Sequence, residues 1–169
     1  MTKKRYKAVE LFSGAGGLSI GLSQAGFEVV LANEIEKDFA KTFSLNHPET
    51  KLLCEDIHNI DFNKELLEIG ESQITLLSGG PPCQGFSTVG SKNKRDPRNS
   101  LFYEYLRAVK EIKPKYIIFE NVSGFKNMYK GEAFKTLLRD LDSLGYETES
   151  GVLEASDFGL PQLRKRTIV

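Results

Sequence analysis

The chain has 169 residues, 40% of them apolar and 27% charged, and its formal net charge is zero. That length carries one domain with a real core, and the absence of any apolar run near the roughly 18–20 residues that cross a bilayer excludes a membrane span. Two cysteines exclude a disulfide framework, and two histidines at no ligand spacing argue against a metal site. The basic opening from Met1 to Lys7 leads into a short strand-like run rather than a signal peptide, so a cytoplasmic, reducing setting is expected. A dedicated nucleic-acid-binding domain carries a basic excess; here any such surface is local or comes from another chain.

Taken in order, the chain alternates strand and helix patterns. Tyr6–Phe12 is a short apolar run that ends in SGAGG. Leu18–Ala25 has helical spacing and stops at Gly26. Phe27–Ala32 reads as a buried strand, Ile35–Leu45 as a helix that ends before Asn46-His47-Pro48, and Lys51–Cys54 as a weak strand. Ile74–Ser78 is a clear strand running into GGPP. A polar loop follows over Gly85–Arg98, and Ser91–Ser100 is the segment expected to be mobile. Leu101–Ile112 is an amphipathic helix with Leu101, Tyr105, Val109 and Ile112 on one face, closed by Pro114. Tyr116–Glu120 is a buried strand, Glu132–Leu144 a helix stopped by Gly145, Tyr146–Leu153 an alternating edge strand, and Arg166–Val169 one more strand.

Strands separated by helices predict an α/β fold, Rossmann-like, with a mostly parallel sheet and helices on both faces. Residues 1–169 form a single catalytic and cofactor-binding domain in this reading. Ligands bind such sheets at the carboxyl ends of their strands. Nearly every unusual cluster falls there: Ser13–Gly17, Asn33-Glu34, Glu55-Asp56, Gly79–Ser87 and Glu120-Asn121.

The turn FSGAGG lets the backbone bend sharply and lets a ligand approach without a Cβ in the way. Glu34 at the end of the second strand is placed to bind ribose hydroxyls, and Asp56 to accept from an adenine amine. Together they read as a pocket for an adenosine-containing ligand. The dinucleotide fingerprint puts its third glycine where this chain has Ser19, so the fit to NAD is poor. Taken alone, the glycines make only a tight turn, and Glu34 and Asp56 cap helices or face solvent.

In GGPPCQGFS, two prolines stiffen the approach to Cys83 and glycines leave space around its thiol. A polar, open loop at the strand ends suits a thiolate nucleophile. Cys54, inside an apolar run, reads as a small buried hydrophobe. Glu120 interrupts the apolar run Tyr116–Phe119; burial there raises a carboxyl pKa and lets it donate to a ring nitrogen. The alternative is a structural carboxylate that binds the backbone of the cysteine loop. Arg164 and Arg166 alternate in QLRKR, so a strand puts both on one face, where they contact phosphate or a base carbonyl or face solvent.

These segments resemble the cytosine-5 methyltransferases, which act on DNA and, in one branch, on tRNA. LFSGAGGLSIGL, NEIEKDFAKTFSLNHP, Glu55-Asp56-Ile57, GGPPCQGFS, RDPRNSLFYEYLR, FENVSGF and DFGLPQLRKR match the family's motifs in order over almost the whole chain. The resemblance implies an S-adenosylmethionine site against Phe12, Ser13, Gly14, Ala15, Gly16, Gly17 and Leu18. Glu34 would hold the ribose, Ile35 would pack on the adenine, Asp56 and Ile57 would meet its edge, and Pro81 and Leu101 would complete the wall. Cys83 would attack C6 of cytosine, Glu120 would bind N3 and the exocyclic amine, Arg166 the base O2, and Arg164 the loop or a phosphate. Gln84, Ser87, Asn121 and Gln162 would face double-stranded DNA, with the target base flipped out of the stack. No metal is implied, and the product cofactor is S-adenosylhomocysteine.

Family members continue into a target-recognition domain and two further motifs. The chain therefore reads as an N-terminal fragment, as one subunit of a split enzyme whose second polypeptide brings recognition, or as a decayed remnant, inactive alone on any of these. In the family the seventh strand inserts antiparallel between the fifth and sixth. A tRNA methyltransferase, a catalytically silent regulatory paralogue and a nicotinamide-dependent oxidoreductase are the competing functions.

Overall fold

The computed structural model describes residues 6–82 and 100–169. Cys83, Gln84, Ser87 and the expected loop over Gly85–Arg98 lie outside the described residues. The chain divides into two compact units, Met1–Gly80 with Arg107–Ile118, and Pro81–Leu106 with Phe119–Val169.

In the first unit, β1 (Tyr6–Leu11), β2 (Phe27–Asn33), β3 (Lys51–Leu53) and β4 (Leu76–Gly79) pair in parallel in the order β3-β2-β1-β4. Strands covered on both faces must be apolar almost throughout, and Val9, Leu11, Leu31 and Leu77 are fully buried. Helix α1 (Gly17–Gln24) packs Leu22, with Leu18, against Ala8, Val29 and Leu76. Helix α2 (Lys37–Asn46) buries Ala40 and Phe43 and ends at His47, ahead of Pro48.

Helix α3 (Phe62–Glu68) was not among the expected elements. It is seven residues long, half charged or polar, and its start is set by Asp61, whose side chain accepts from Lys64 N at 3.0 Å. Arg107 then fastens this region: its guanidinium donates to the carbonyls of Ile60 and Ile57 at 3.0 and 2.8 Å, pairs with Glu111, and lies 5.2 Å over the Phe62 ring.

Helix α4 (Ser100–Ile112) forms as expected, but its buried stripe is Phe102, Tyr105, Leu106 and Val109. Leu101 and Ile112 are only half-buried. Tyr105 and Val109 keep the expected face, and Phe102 is buried where Leu101 was expected.

The second unit holds β5 (Tyr116–Val122, from Phe119), β7 (Lys165–Ile168) and β6 (Gly151–Glu154). β7 pairs antiparallel with both β5 and β6, as the resemblance implied. Only the last part of the expected strand Tyr146–Leu153 is β; Tyr146–Ser150 has no regular structure. The core is aromatic: Phe119 lies 5.4 Å from Tyr105 and 5.2 Å from Phe125, ring centre to ring centre. Helix α5 (Glu132–Ser143) adds Ala133, Leu137 and Leu141, four residues apart on one face. Together the elements make an α/β fold with a mixed sheet pattern.

Candidate active site

Of the residues expected to bind cofactor, all but Pro81 and Leu101 belong to the first unit. At the carboxyl end of β1 the chain reverses through Phe12 (φ 56), Gly14 (φ 56) and Gly16 (φ 92). A left-handed φ at phenylalanine is strained, of order 1–3 kcal/mol, and such strain concentrates where a ligand is bound. The turn is fastened from three sides. Ser13 N donates to Asn33 O at 3.0 Å. Gly14 N donates to Glu34 Oε2 at 2.7 Å. On the far side, His47 Nε2 lies 3.0 Å from Gly16 O, its ring 4.6 Å from that of Phe43.

Glu34 is 7% exposed, and its second oxygen accepts from Glu36 N at 2.8 Å. Its carboxylate therefore ties the glycine turn to the start of α2. Ile35 stands beside it, 57% exposed. Asn33 donates to the carbonyls of Leu53 and Glu55, which sets the exit of β3 toward Asp56. Asp56 caps the short turn Ile57–Asn59. Its Oδ1 accepts from His58 N at 3.0 Å and lies 2.6 Å from His58 Nδ1. The backbone bond first, and the imidazole second, hold this carboxyl below the usual aspartate range. Ile57 is buried in the core, and its carbonyl is taken by Arg107.

These residues fit a nucleoside-bearing group. An added Cβ at Gly14 or Gly17 meets nothing within 4 Å, so the turn presents open backbone. Ser13 Oγ is buried at the same turn and has no hydrogen-bond partner among the described residues. Ala15 is exposed, and Phe12 and Leu18 are half-buried. Leu18 packs against the core of this unit.

Glu120, Arg164 and Arg166, expected to meet the base, belong to the second unit. β5 pairs Glu120 with Ile168 and Val122 with Arg166, so the two-residue period puts Glu120 and Arg166 on one face as diagonal neighbours. Arg166 Nε lies 2.9 Å from Glu120 Oε1, and Arg164 Nη2 lies 3.8 Å from the same oxygen. The burial expected of Glu120 in an apolar strand is only partial. Its side chain is 29% exposed and stands between two guanidinium groups. An open depression of about 600 Å³ beside them is lined by Ser123, Gln162, Arg164 and Arg166.

The alternate residues of the same strands point the other way. Thr167 is fully buried, and Asn121 is 7% exposed. Asn121 Nδ2 donates to Pro81 O at 2.9 Å, and its Oδ1 accepts from Val122 N. This amide, expected to face DNA, is engaged inside the unit on the backbone two residues ahead of Cys83. Pro81 is buried and Leu101 half-buried.

Cys54, expected to be a buried hydrophobe, is exposed. β3 ends at Leu53, so the burial of that residue does not extend to its neighbour. A larger depression of about 680 Å³, lined by Leu66, Ile74, Thr75 and Lys115, lies at the amino ends of the strands and holds none of the motif residues. Two residues at the site were missed by sequence reasoning. His47 was read only as part of a helix stop, and Glu10 was passed over inside an apolar run, where a charged residue was itself the signal. No cluster of metal-ligating side chains occurs among the described residues, and no helix there is long and apolar enough to cross a membrane.

The sequence profile of the family described as C-5 cytosine-specific DNA methylase matches residues 6–169. A Type II methyltransferase of Haemophilus parahaemolyticus, M1.HphI, is 39% identical over 163 residues, covering 95% of this chain and 44% of that protein. Among solved structures, a protein described as a DNA modification methyltransferase encoded within an E. coli prophage superposes with a TM-score of 0.82 at 31% identity, over 96% of this chain and 45% of the other. The S. pombe Dnmt2 methyltransferase gives a TM-score of 0.76 at 28% identity, over 98% and 48%. The chain thus spans less than half the length of the curated relatives it matches. On the match of nearly its whole length, the chain belongs to the C-5 cytosine-specific DNA methylase family.

Proposed function

We propose that this chain carries the cofactor-binding and cytosine-activating residues of a DNA cytosine-5 methyltransferase. The observation that carries the reading is the Glu120 carboxyl held by Arg166 at 2.9 Å and Arg164 at 3.8 Å, a donor–acceptor pair suited to one edge of a pyrimidine. S-Adenosylmethionine, when bound, supplies an electrophilic methyl group. Glu34 would hold its ribose, Asp56 its adenine amine and Ile35 an apolar face, and the open backbone of Ser13–Gly17 would take the remainder of the molecule.

Cytosine C5 is a poor nucleophile. The Cys83 thiolate adds to C6, and the electrons of the C5–C6 double bond become available at C5. Glu120 binds N3 and the exocyclic amine and stabilises the added state, and Arg166 binds O2. C5 would take the methyl group as its bond to the sulfonium sulfur breaks, with S-adenosylhomocysteine as the leaving group; C5 then loses its proton to a base, and the double bond reforms as the Cys83 sulfur departs. C6 is shielded inside a duplex, so the target base leaves the stack. The partner is double-stranded DNA, read by a segment or second polypeptide that brings base recognition, in a bacterial cytoplasmic setting.

The test uses DNA with 5-fluorocytosine at the target position, tritiated cofactor and the complete enzyme. A stable protein–DNA adduct mapped to Cys83 by mass spectrometry is expected, and Cys83→Ala should transfer no methyl. Glu120→Gln should lower kcat by roughly 10²–10³ with cofactor affinity unchanged. An adduct on another side chain, or equal methyl incorporation by Cys83→Ala, overturns the proposal.

A further inference from the structure

Glu10 lies within the parallel ladder and is 2% exposed. On β2 it faces Ala32, and on β4 Ser78, whose hydroxyl donates to Val9 O instead. From α1 it meets Ser19, which is fully buried and donates its hydroxyl to Glu10 Oε2. The Ser19 backbone N–H bonds the same carboxyl, and no charged group acts on it from any of these elements. Ser19 is the third residue of α1, whose own N-cap, Gly16, has no side chain to offer. Glu10 thus caps the helix from the neighbouring strand. A carboxylate at that end is also favoured by the helix dipole. Between the two anchors runs the whole strained turn with Phe12, Gly14 and Gly16. Burial pushes the Glu10 carboxyl up to about 7, against the bonds from Ser19, so it changes charge near neutrality.

We propose that Glu10 is a proton-linked positioning residue: its carboxylate caps α1 and holds Ser13–Gly17 in the geometry that binds cofactor, and protonation releases the cap. The inference rests on the reading that this turn binds S-adenosylmethionine. A neutral carboxyl turns one oxygen into a donor and accepts more weakly from Ser19. If only the ionised form is competent, the cofactor Kd at pH 6 is roughly tenfold that at pH 8. Binding near pH 7 then releases a proton.

Calorimetry of S-adenosylmethionine binding to the complete enzyme, as wild type, Glu10→Gln and Ser19→Ala, over pH 6–8 in two buffers of different ionisation heat, tests this. His47 also lies 3.0 Å from Gly16 O and the cofactor carries its own amine, so the readout is the difference between proteins. The wild-type profile should be roughly tenfold steeper than that of Glu10→Gln, with a released proton that the variant lacks. Ser19→Ala should bind more weakly at every pH and keep the slope. Should Glu10→Gln fail to fold, carboxyl carbon NMR of the wild type should show the Glu10 midpoint falling when cofactor is added. Parallel profiles with equal proton release, or an unmoved midpoint, overturn the inference while leaving the cofactor assignment intact. Absence of binding by the wild type overturns both.

Discussion

Three glutamates in this chain meet three environments. Glu34 is buried but accepts two backbone N–H bonds, from Gly14 and Glu36. Glu120 is part-exposed between Arg164 and Arg166. Glu10 is buried with Ser19 alone to bind it among the described residues, and burial raises its pKa from 4.5 to about 7. The sign of the stability effect follows from proton counts. Between those two values the folded chain holds a proton on Glu10 that the unfolded chain has lost, so stability falls as pH rises through the window. The penalty is absent below the unfolded value, complete above about 7, and on the order of 3 kcal/mol. Denaturant unfolding of Glu10→Gln should therefore show a stability advantage over wild type that is large at pH 8 and shrinks toward pH 5. Asp56 acts in the opposite sense: its lowered pKa contributes stability that is lost as pH falls through the folded value.

At the scale of elements, the connection from β1 to α1 is held as much by α2 as by its own glycines. Gly16 has φ 92, and a Cβ there would stand 2.5 Å from His47 Nε2. Gly16→Ala therefore combines a backbone penalty with a clash, about 2–4 kcal/mol together. His47→Ala removes the clash but not the φ, so the double variant should recover part of the loss. A double-mutant cycle by denaturant midpoints reads this; strictly additive losses would mean that His47 does not press on the turn. The glycine turn was legible because its residue types have few other uses. The wedge behind it was not, because a histidine ahead of Pro48 looks like any helix end until α2 is laid beside β1. The same limit applies to α4. Its helical period was plain, yet the choice between Leu101 and Phe102 for the core depended on what the helix packs against.

For the whole molecule, each unit has its own core and its own share of the motifs. Added S-adenosylmethionine should slow hydrogen exchange at Ser13–Gly17, Glu34–Glu36 and Ile57-His58 of the first unit. The amides of Phe119 and Val169, which bond each other's carbonyls at 2.9 Å in the second, should stay unchanged. Uniform protection of both units, or none, would contradict the cofactor assignment. The order of strands and helices other than α3, the placement of motifs at strand ends and the family itself were determined by the sequence, because apolar period, breakers and rare residue clusters are local. Arg164 and Arg166 were placed on one face by the same two-residue arithmetic. Local pattern carries no information about what lies across a strand. Only the tertiary structure decided that Glu120 is part-exposed between two arginines, that Asn121 turns inward to Pro81, that Cys54 is exposed, and that Glu10 is buried against Ser19. Each of these is set by which side chain a neighbouring strand or helix brings within about 3 Å, the range of a hydrogen bond.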